Sequence, residues 1–270
     1  MSAASPALVG ISHGTSSPDG RSAVAGLMEA VAAALPEVTT VSGYVDVQQP
    51  DVANTLAVLD DAVRDDAVRD EAVLDETVRD DASRDSQATA IIVPLLLSAG
   101  YHVHVDLHEA ARDWTGSATL ARTLGPDPRL AELQHERLIE VGLTADDVVI
   151  LAAAGSSDAG AVSECRTAAD LVAARVGRAV TIGFLSAASP TLAEAIATAR
   201  SEHPSARIVV SSYLLAPGYF QSIVENAGAD VATGPLLAAG RPTPHQLVEI
   251  VVHRYRAALH YRALTVLTSV

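Results

Sequence analysis

Apolar residues come in short blocks along this chain. They stand at 7–12, 39–46 and 89–97, and again at 147–153, 179–185 and 207–215. Runs of that length, bounded by Gly, Pro and Ser, predict strands buried on both faces. Between them, helical patterns cover 20–35, 51–60, 102–113, 128–141, 159–176, 190–202, 220–227 and 243–260. "PDPRLAELQHERLIEVG" opens on Pro and closes on Gly, the usual punctuation of a helix. Strands alternating with helices predict an α/β fold of parallel sheets covered on both faces. Ligands of such sheets sit beyond the carboxyl ends of the strands.

The block pattern repeats. "LVGISHGTSSPDGRSAV" and "VVILAAAGSSDAGAVSE" share an apolar run, a Gly-rich turn and a helical stretch, with Gly14 matching Gly155. Gly43, Tyr44 and Pro50 match Gly183, Phe184 and Pro190 at an offset of 140. Gly100 matches Gly218 at an offset of 118. Two lobes related by internal duplication follow, over 1–142 and 143–270.

The fall in offset means that the first half carries about 22 extra residues between Pro50 and Gly100. An acidic tract of five pentads, DAVRD-DAVRD-EAVLD-ETVRD-DASRD, fills 61–85 of that interval. Five residues advance a helix by about 500°, so the valines precess around the axis and form no continuous apolar face. The tract reads as a solvated, charged helical extension or a loop, inserted into a lobe that does not need it.

Composition narrows the chemistry. The net charge is −15, which argues against binding nucleic acid through its phosphates. The longest apolar run is about 12 residues, too short to span a bilayer. Cys165 is the one cysteine, so an internal disulfide or a cysteine-built metal cluster is excluded. A partly buried helix position suits it better than a reactive role. "MSAASPALVG" has no basic segment leading into a long apolar one, and a cytoplasmic location fits. Trp114 is expected to close the helix that follows His102.

Three strand ends of the first half carry His13, Asp46 and the segment "SAGYHVHVDLHEA" with His102, His104 and His108. Two imidazoles and a carboxylate suit a divalent transition metal and do not choose among Fe, Co, Ni and Zn. At the matching places the second half has Ala154, Ser186 and Phe220. The three candidate ligands vanish together while the glycines and prolines stay, the pattern of a metal site used once. A P-loop is excluded, because Gly14 and Gly20 are wrongly spaced and Arg21 stands where Lys is needed. A histidine-phosphatase reading lacks the arginine before the histidine, since Ser12 stands there.

Four segments together resemble the class II chelatases of the CbiX/SirB type, the sirohydrochlorin cobalto- and ferrochelatases. They are "SHGT", "GYVDVQQP", "PLLLSAGYHVHVD" and "LGPDPRLAELQHERL". The resemblance covers most of 8–141, and the second half matches in framework only. It implies two flavodoxin-like lobes facing each other across a tetrapyrrole cleft, here fused into one chain as an intramolecular pseudo-dimer and therefore a monomer. It implies an enzyme that inserts Fe²⁺ or Co²⁺ into sirohydrochlorin for siroheme or cobalamin synthesis. His13 and His102 would bind the metal and accept pyrrole protons. Asp46 would stand where the family has a glutamate, one methylene longer. Ser12, Thr15 and Tyr101 would hydrogen-bond substrate carboxylates, with Arg21 and Arg112 as nearby cations. His104 is expected behind the site or exposed, and His108 on the helix surface. Tyr219 would line the cleft from the second lobe or pack against its own. No cofactor is required beyond the divalent metal that is itself a substrate. Partners would be that metal and the tetrapyrrole, with no nucleic acid and no membrane. The alternative from another class is a carrier that binds metal or tetrapyrrole without turnover.

Overall fold

Each half folds into a four-stranded parallel sheet, one strand more than its apolar runs predict. The computed structural model describes residues 5–71, 88–98 and 100–268, with the backbone alone at 62–71, 101–104 and 265–268. The first sheet holds β1 (Ala7–Ser12), β2 (Thr40–Tyr44), β3 (Thr89–Pro94) and β4 (Ser117–Leu120) in the order β2-β1-β3-β4. The second holds β5 (Val148–Ala153), β6 (Val180–Phe184), β7 (Ile208–Tyr213) and β8 (Val231–Ala232) in the order β6-β5-β7-β8. The strands missed by the apolar pattern are β4, "SATL", and β8, "VA". Both are half-buried edges too short to show a period.

The helices of the first half are α1 (Pro18–Ala34), α2 (Val52–Glu71), α3 (Tyr101–Asp113) and α4 (Pro128–Glu140). Those of the second are α5 (Ala159–Val176), α6 (Leu192–Glu202), α7 (Tyr219–Glu225) and α8 (His245–Thr268). Ser17 caps α1 and Asp158 caps α5, each through a side-chain oxygen that accepts an amide of the first turn. The acidic tract continues α2 as helix to Glu71. Its remaining part lies outside the described residues.

Alternate residues of each strand feed different cores. Leu8, Ile91 and Val93 join Val149, Leu151 and Val209 in one central cluster with α1, α4, α5 and α8. Val9, Ile11 and Ile92 face Val52, Leu56 and Leu107 of α2 and α3. Ile150 and Val210 face Leu192, Ile196 and Val224 of α6 and α7. The two sheets thus share a middle layer of four helices, and each keeps an outer pair of its own. Cys165 sits buried in that middle layer, 3.6 Å from the Ser98 hydroxyl.

The last helix of each half crosses to the other half. Helix α4 packs on β7 and α5, while α8 packs on β3, β4 and α1. Buried arginines fasten both crossings. From α8, Arg254 donates to the carbonyls of Thr123 (2.8 Å) and Leu124 (2.9 Å), and pairs with Asp127 at 3.2 Å. From α4, Arg137 donates to the carbonyl of Leu236 at 3.1 Å. Leu124 and Leu236 are matching positions, since their amides donate to the equivalent carbonyls of Leu96 and Leu214. Gln134 of α4 adds bonds to Ser211 and Ser212 of β7. Burial alone would raise the Asp127 carboxyl. The hydrogen bonds of Arg129 and the charges of Arg129 and Arg254 outweigh it and hold the group below the usual carboxylate range. Among the described residues, no helix is long and apolar enough to cross a membrane.

Removing Arg254 leaves Asp127 and two carbonyls short of a buried partner. Arg254→Ala is expected to cost about 3 kcal/mol in urea unfolding. Arg256→Ala, exposed on the same helix, is expected to stay within about 0.5 kcal/mol of the parent. Equal effects would contradict the role given to the clasp. A second prediction concerns acid. The Arg207 guanidinium, bonded to Asp147 at 2.6 Å and 3.0 Å, holds that buried carboxyl down to about 2. A depressed carboxylate stabilises the fold above its unfolded pKa and loses that contribution as pH falls toward the folded value. Arg207→Ala should therefore move the acid-unfolding midpoint, followed by circular dichroism between pH 5 and 2, to higher pH.

Candidate functional site

The sheet order fixes where a ligand can enter. In β2-β1-β3-β4 the chain leaves β1 toward one face and β3 toward the other, because α1 joins the central cluster and α3 the outer one. The carboxyl ends of β1 and β3 therefore border an open crevice, the switch point of the sheet. His13 follows β1 directly, and His102 is the second residue of α3, after β3. The two strands are hydrogen-bonded neighbours, with Ile11 opposite Pro94. His13 is exposed.

Asp46 belongs to this place by backbone pairing. The strand that precedes it ends at Tyr44, two residues earlier than its apolar pattern suggests. Pairing continues past the end, as Val45 and Asp46 donate to the carbonyls of Ser12 (2.9 Å) and His13 (3.1 Å). Asp46 is exposed, and one of its carboxylate oxygens accepts the Val47 amide at 2.7 Å. Gly14, at φ +91°, lies so close to the Asp46 carbonyl that a Cβ would collide with it. The second lobe builds the same turn: Leu185 and Ser186 donate to Ala153 and Ala154, and Gly155 (φ +89°) lies against the Ser186 carbonyl. One backbone device thus holds His13 and Asp46 in the first lobe and Ala154 and Ser186 in the second.

The remaining candidates divide. Thr15 is half-buried, its amide donates to Gln48 Oε1 (2.8 Å), and its hydroxyl accepts the Ser17 amide (3.1 Å). That leaves the Thr15 hydroxyl proton to give. Ser12 is 5% exposed, the last residue of β1. The side chains of Tyr101, His102 and His104 lie outside the described residues. Among the described residues no group of three or more His, Cys, Asp or Glu is placed to hold a metal ion. His108 is exposed, as its place on the helix predicts. Arg21 is exposed, and Arg112 pairs with Asp113 at 3.0 Å. Trp114 caps α3, and its indole N–H donates to Asp60 of α2 at 2.9 Å.

The fold is shared with proteins of known structure. A family model, CbiX, matches residues 7–141 and 148–239, most of both halves. The chain belongs to the CbiX family. The solved structure of SirB from Bacillus subtilis with Fe³⁺ is 17% identical, with a TM-score of 0.71, over 94% of this chain and 95% of that one. SirB from Bacillus subtilis subspecies spizizenii in complex with cobalt is 13% identical at a TM-score of 0.67, over 94% and 95%. A CbiX described as the terminal enzyme for biosynthesis of siroheme in denitrifying bacteria is 18% identical at 0.57, over 93% and 99%. No curated protein sequence matches the chain significantly.

Two residues of the turn escaped the reading of the sequence. Gln48 holds the Thr15 amide, and Val47 is 57% exposed at φ +62°. The duplication carried the signal: both positions are alanine in the second lobe, at Ala187 and Ala188. A β-branched residue in the left-handed region is strained by about 1–3 kcal/mol. Ala187 adopts the same region at φ 53°, so the turn imposes it in both lobes. Val47→Gly removes the clash and little packing, so it is expected to raise stability by about 1 kcal/mol in urea unfolding. A loss of stability would contradict the strain assigned to Val47.

Proposed function

We propose that this chain is a sirohydrochlorin chelatase, which inserts Fe²⁺ or Co²⁺ into the tetrapyrrole during siroheme or cobalamin synthesis. The observation that carries the reading is the single arming of a twice-built turn. The backbone that holds His13 and Asp46 recurs around Ala154 and Ser186 without a ligand. Framework retained and ligands lost as a set suit one metal-handling site in a pseudo-symmetric cleft. Membership of the CbiX family and the likeness to SirB structures described with Fe³⁺ and with cobalt support the same reading.

The reaction exchanges two pyrrole protons for one divalent cation. It needs groups that strip water from the cation and others that take the protons. His13 and His102, on either side of the β1/β3 crevice, have the chemistry for both, because a neutral imidazole ligates a metal or accepts a proton near neutral pH. Asp46 lies beside His13 and can hold positive charge in the turn. The Thr15 hydroxyl can donate to a substrate carboxylate, and Tyr101 begins α3 next to His102. The metal is a substrate, and no nucleotide or redox group takes part.

Purified protein with sirohydrochlorin and Co²⁺ or Fe²⁺ is expected to give the metallated absorbance spectrum well above the spontaneous rate. His13→Ala with His102→Ala should lower the rate by about 100-fold or more while the melting temperature stays within a few degrees. A double variant with full activity would refute the site. Stoichiometric binding without any rate enhancement by the parent would favour a carrier.

A further inference from the structure

The two lobes meet through matching residues. Thr15 Oγ1 lies 3.2 Å from where a Cβ on Gly218 would stand, and Ser156 Oγ lies 2.9 Å from the same point on Gly100. Thr15 matches Ser156 and Gly100 matches Gly218, so the contact is reciprocal, as at a two-fold axis. Gly20 adds to the first contact, since a Cβ there would collide with the Pro217 carbonyl. The strand-end loops of one lobe are thereby pressed against those of the other.

One side of this junction carries an aromatic ring that stands mostly in solvent. Tyr219 begins α7 directly after Gly218 and is 77% exposed. Its neighbour Phe220 packs against the outer cluster of the second lobe, 6.0 Å away between ring centres. The chain holds nine aromatic residues in 270, and most of its core is aliphatic. Leaving a Tyr ring in water at a lobe junction forgoes burial that the core could have used. A series of neighbouring residues leads from it to the candidate metal turn. The space beside Gly218 where a Cβ would stand is bordered by the Thr15 hydroxyl, Thr15 bonds Gln48, and Gln48 follows the exposed Val47 and precedes Gln49 in the turn of Asp46.

We infer that Tyr219 is a binding residue for the tetrapyrrole, an aromatic surface on the second lobe against which the flat face of the macrocycle rests. The inference rests on the chelatase reading and deepens it: the lobe without ligands supplies the apolar platform. A planar conjugated ligand is the occupant that fits, since aromatic faces stack in offset contact and the polar hydroxyl can stay wet at the rim.

The test uses the full chain and sirohydrochlorin. Binding of the metal-free tetrapyrrole is followed by absorbance, and turnover by Co²⁺ insertion. Tyr219→Ala is expected to raise the KM and the dissociation constant for the tetrapyrrole about tenfold. Its kcat, its KM for Co²⁺ and its melting temperature should stay close to those of the parent. Tyr219→Phe should restore affinity to within about twofold, and Tyr261→Ala, another exposed tyrosine, should change nothing. Unchanged tetrapyrrole affinity in Tyr219→Ala would overturn the inference. A lowered melting temperature with every constant affected, not restored by Phe, would overturn it too, in favour of a packing role. A parent protein that neither binds nor metallates the tetrapyrrole would sink the chelatase reading itself, and that failure is visible before any variant is made.

Discussion

The crossing of the two terminal helices is the constraint on which the arrangement depends. A parallel sheet needs cover on both faces. Here each sheet receives part of its inner cover from the other half, α8 for the first and α4 for the second. Neither sheet can then be complete alone. Arg254 and Arg137 make the exchange specific, because each guanidinium satisfies carbonyls just beyond the edge strand of the lobe it visits. A helix that slid by one residue would leave those buried carbonyls without donors, at the cost of the full desolvation penalty of each. The lobes are therefore held at one separation and one angle. That fixed relation lets the strand-end loops meet at Thr15 and Gly218 and at Ser156 and Gly100.

A duplicated chain held this way behaves like a symmetric dimer whose two copies are free to diverge. Backbone geometry is under the same constraint in both copies. The left-handed glycines at 14 and 155 and the paired amides after β1 and β5 persist for that reason. Side chains that only face the cleft are under no such constraint. The two lobes differ at the exposed His13 against Ala154, and at Gln48 against Ala188, where a side-chain oxygen accepts the Thr15 amide in the first lobe and has no counterpart in the second.

Much of this was legible in the sequence, and the reasons are physical. Buried parallel strands write continuous apolar runs, so β1, β3, β5 and β7 stood out. The edge strands β4 and β8 did not, because four and two half-buried residues leave no pattern. The repeat exposed the duplication through glycines and prolines, which answer to backbone shape and resist substitution. Which helix covers which sheet was hidden. An amphipathic helix records that one face is buried and not against what, and α4 and α8 look alike whether they stay home or cross. The strained Val47 was hidden too, since a positive φ at a β-branched residue contradicts local preference and follows only from the pairing of Asp46 with His13.

A protein with a net charge of −15 repels any anionic ligand over its whole surface unless the negative charge is kept away from the strand-end loops. The pentad tract of 61–85 holds ten acids and four arginines, and its described part, 61–71, continues α2 away from the carboxyl end of β2. Near the site, Asp46 turns one oxygen to the Val47 amide, which partly satisfies its charge locally. Exposed charges separated by more than about 8–10 Å are largely screened at physiological salt. The field that a ligand approaching the strand ends meets is then set by the few groups on the strand-end loops, not by the net charge.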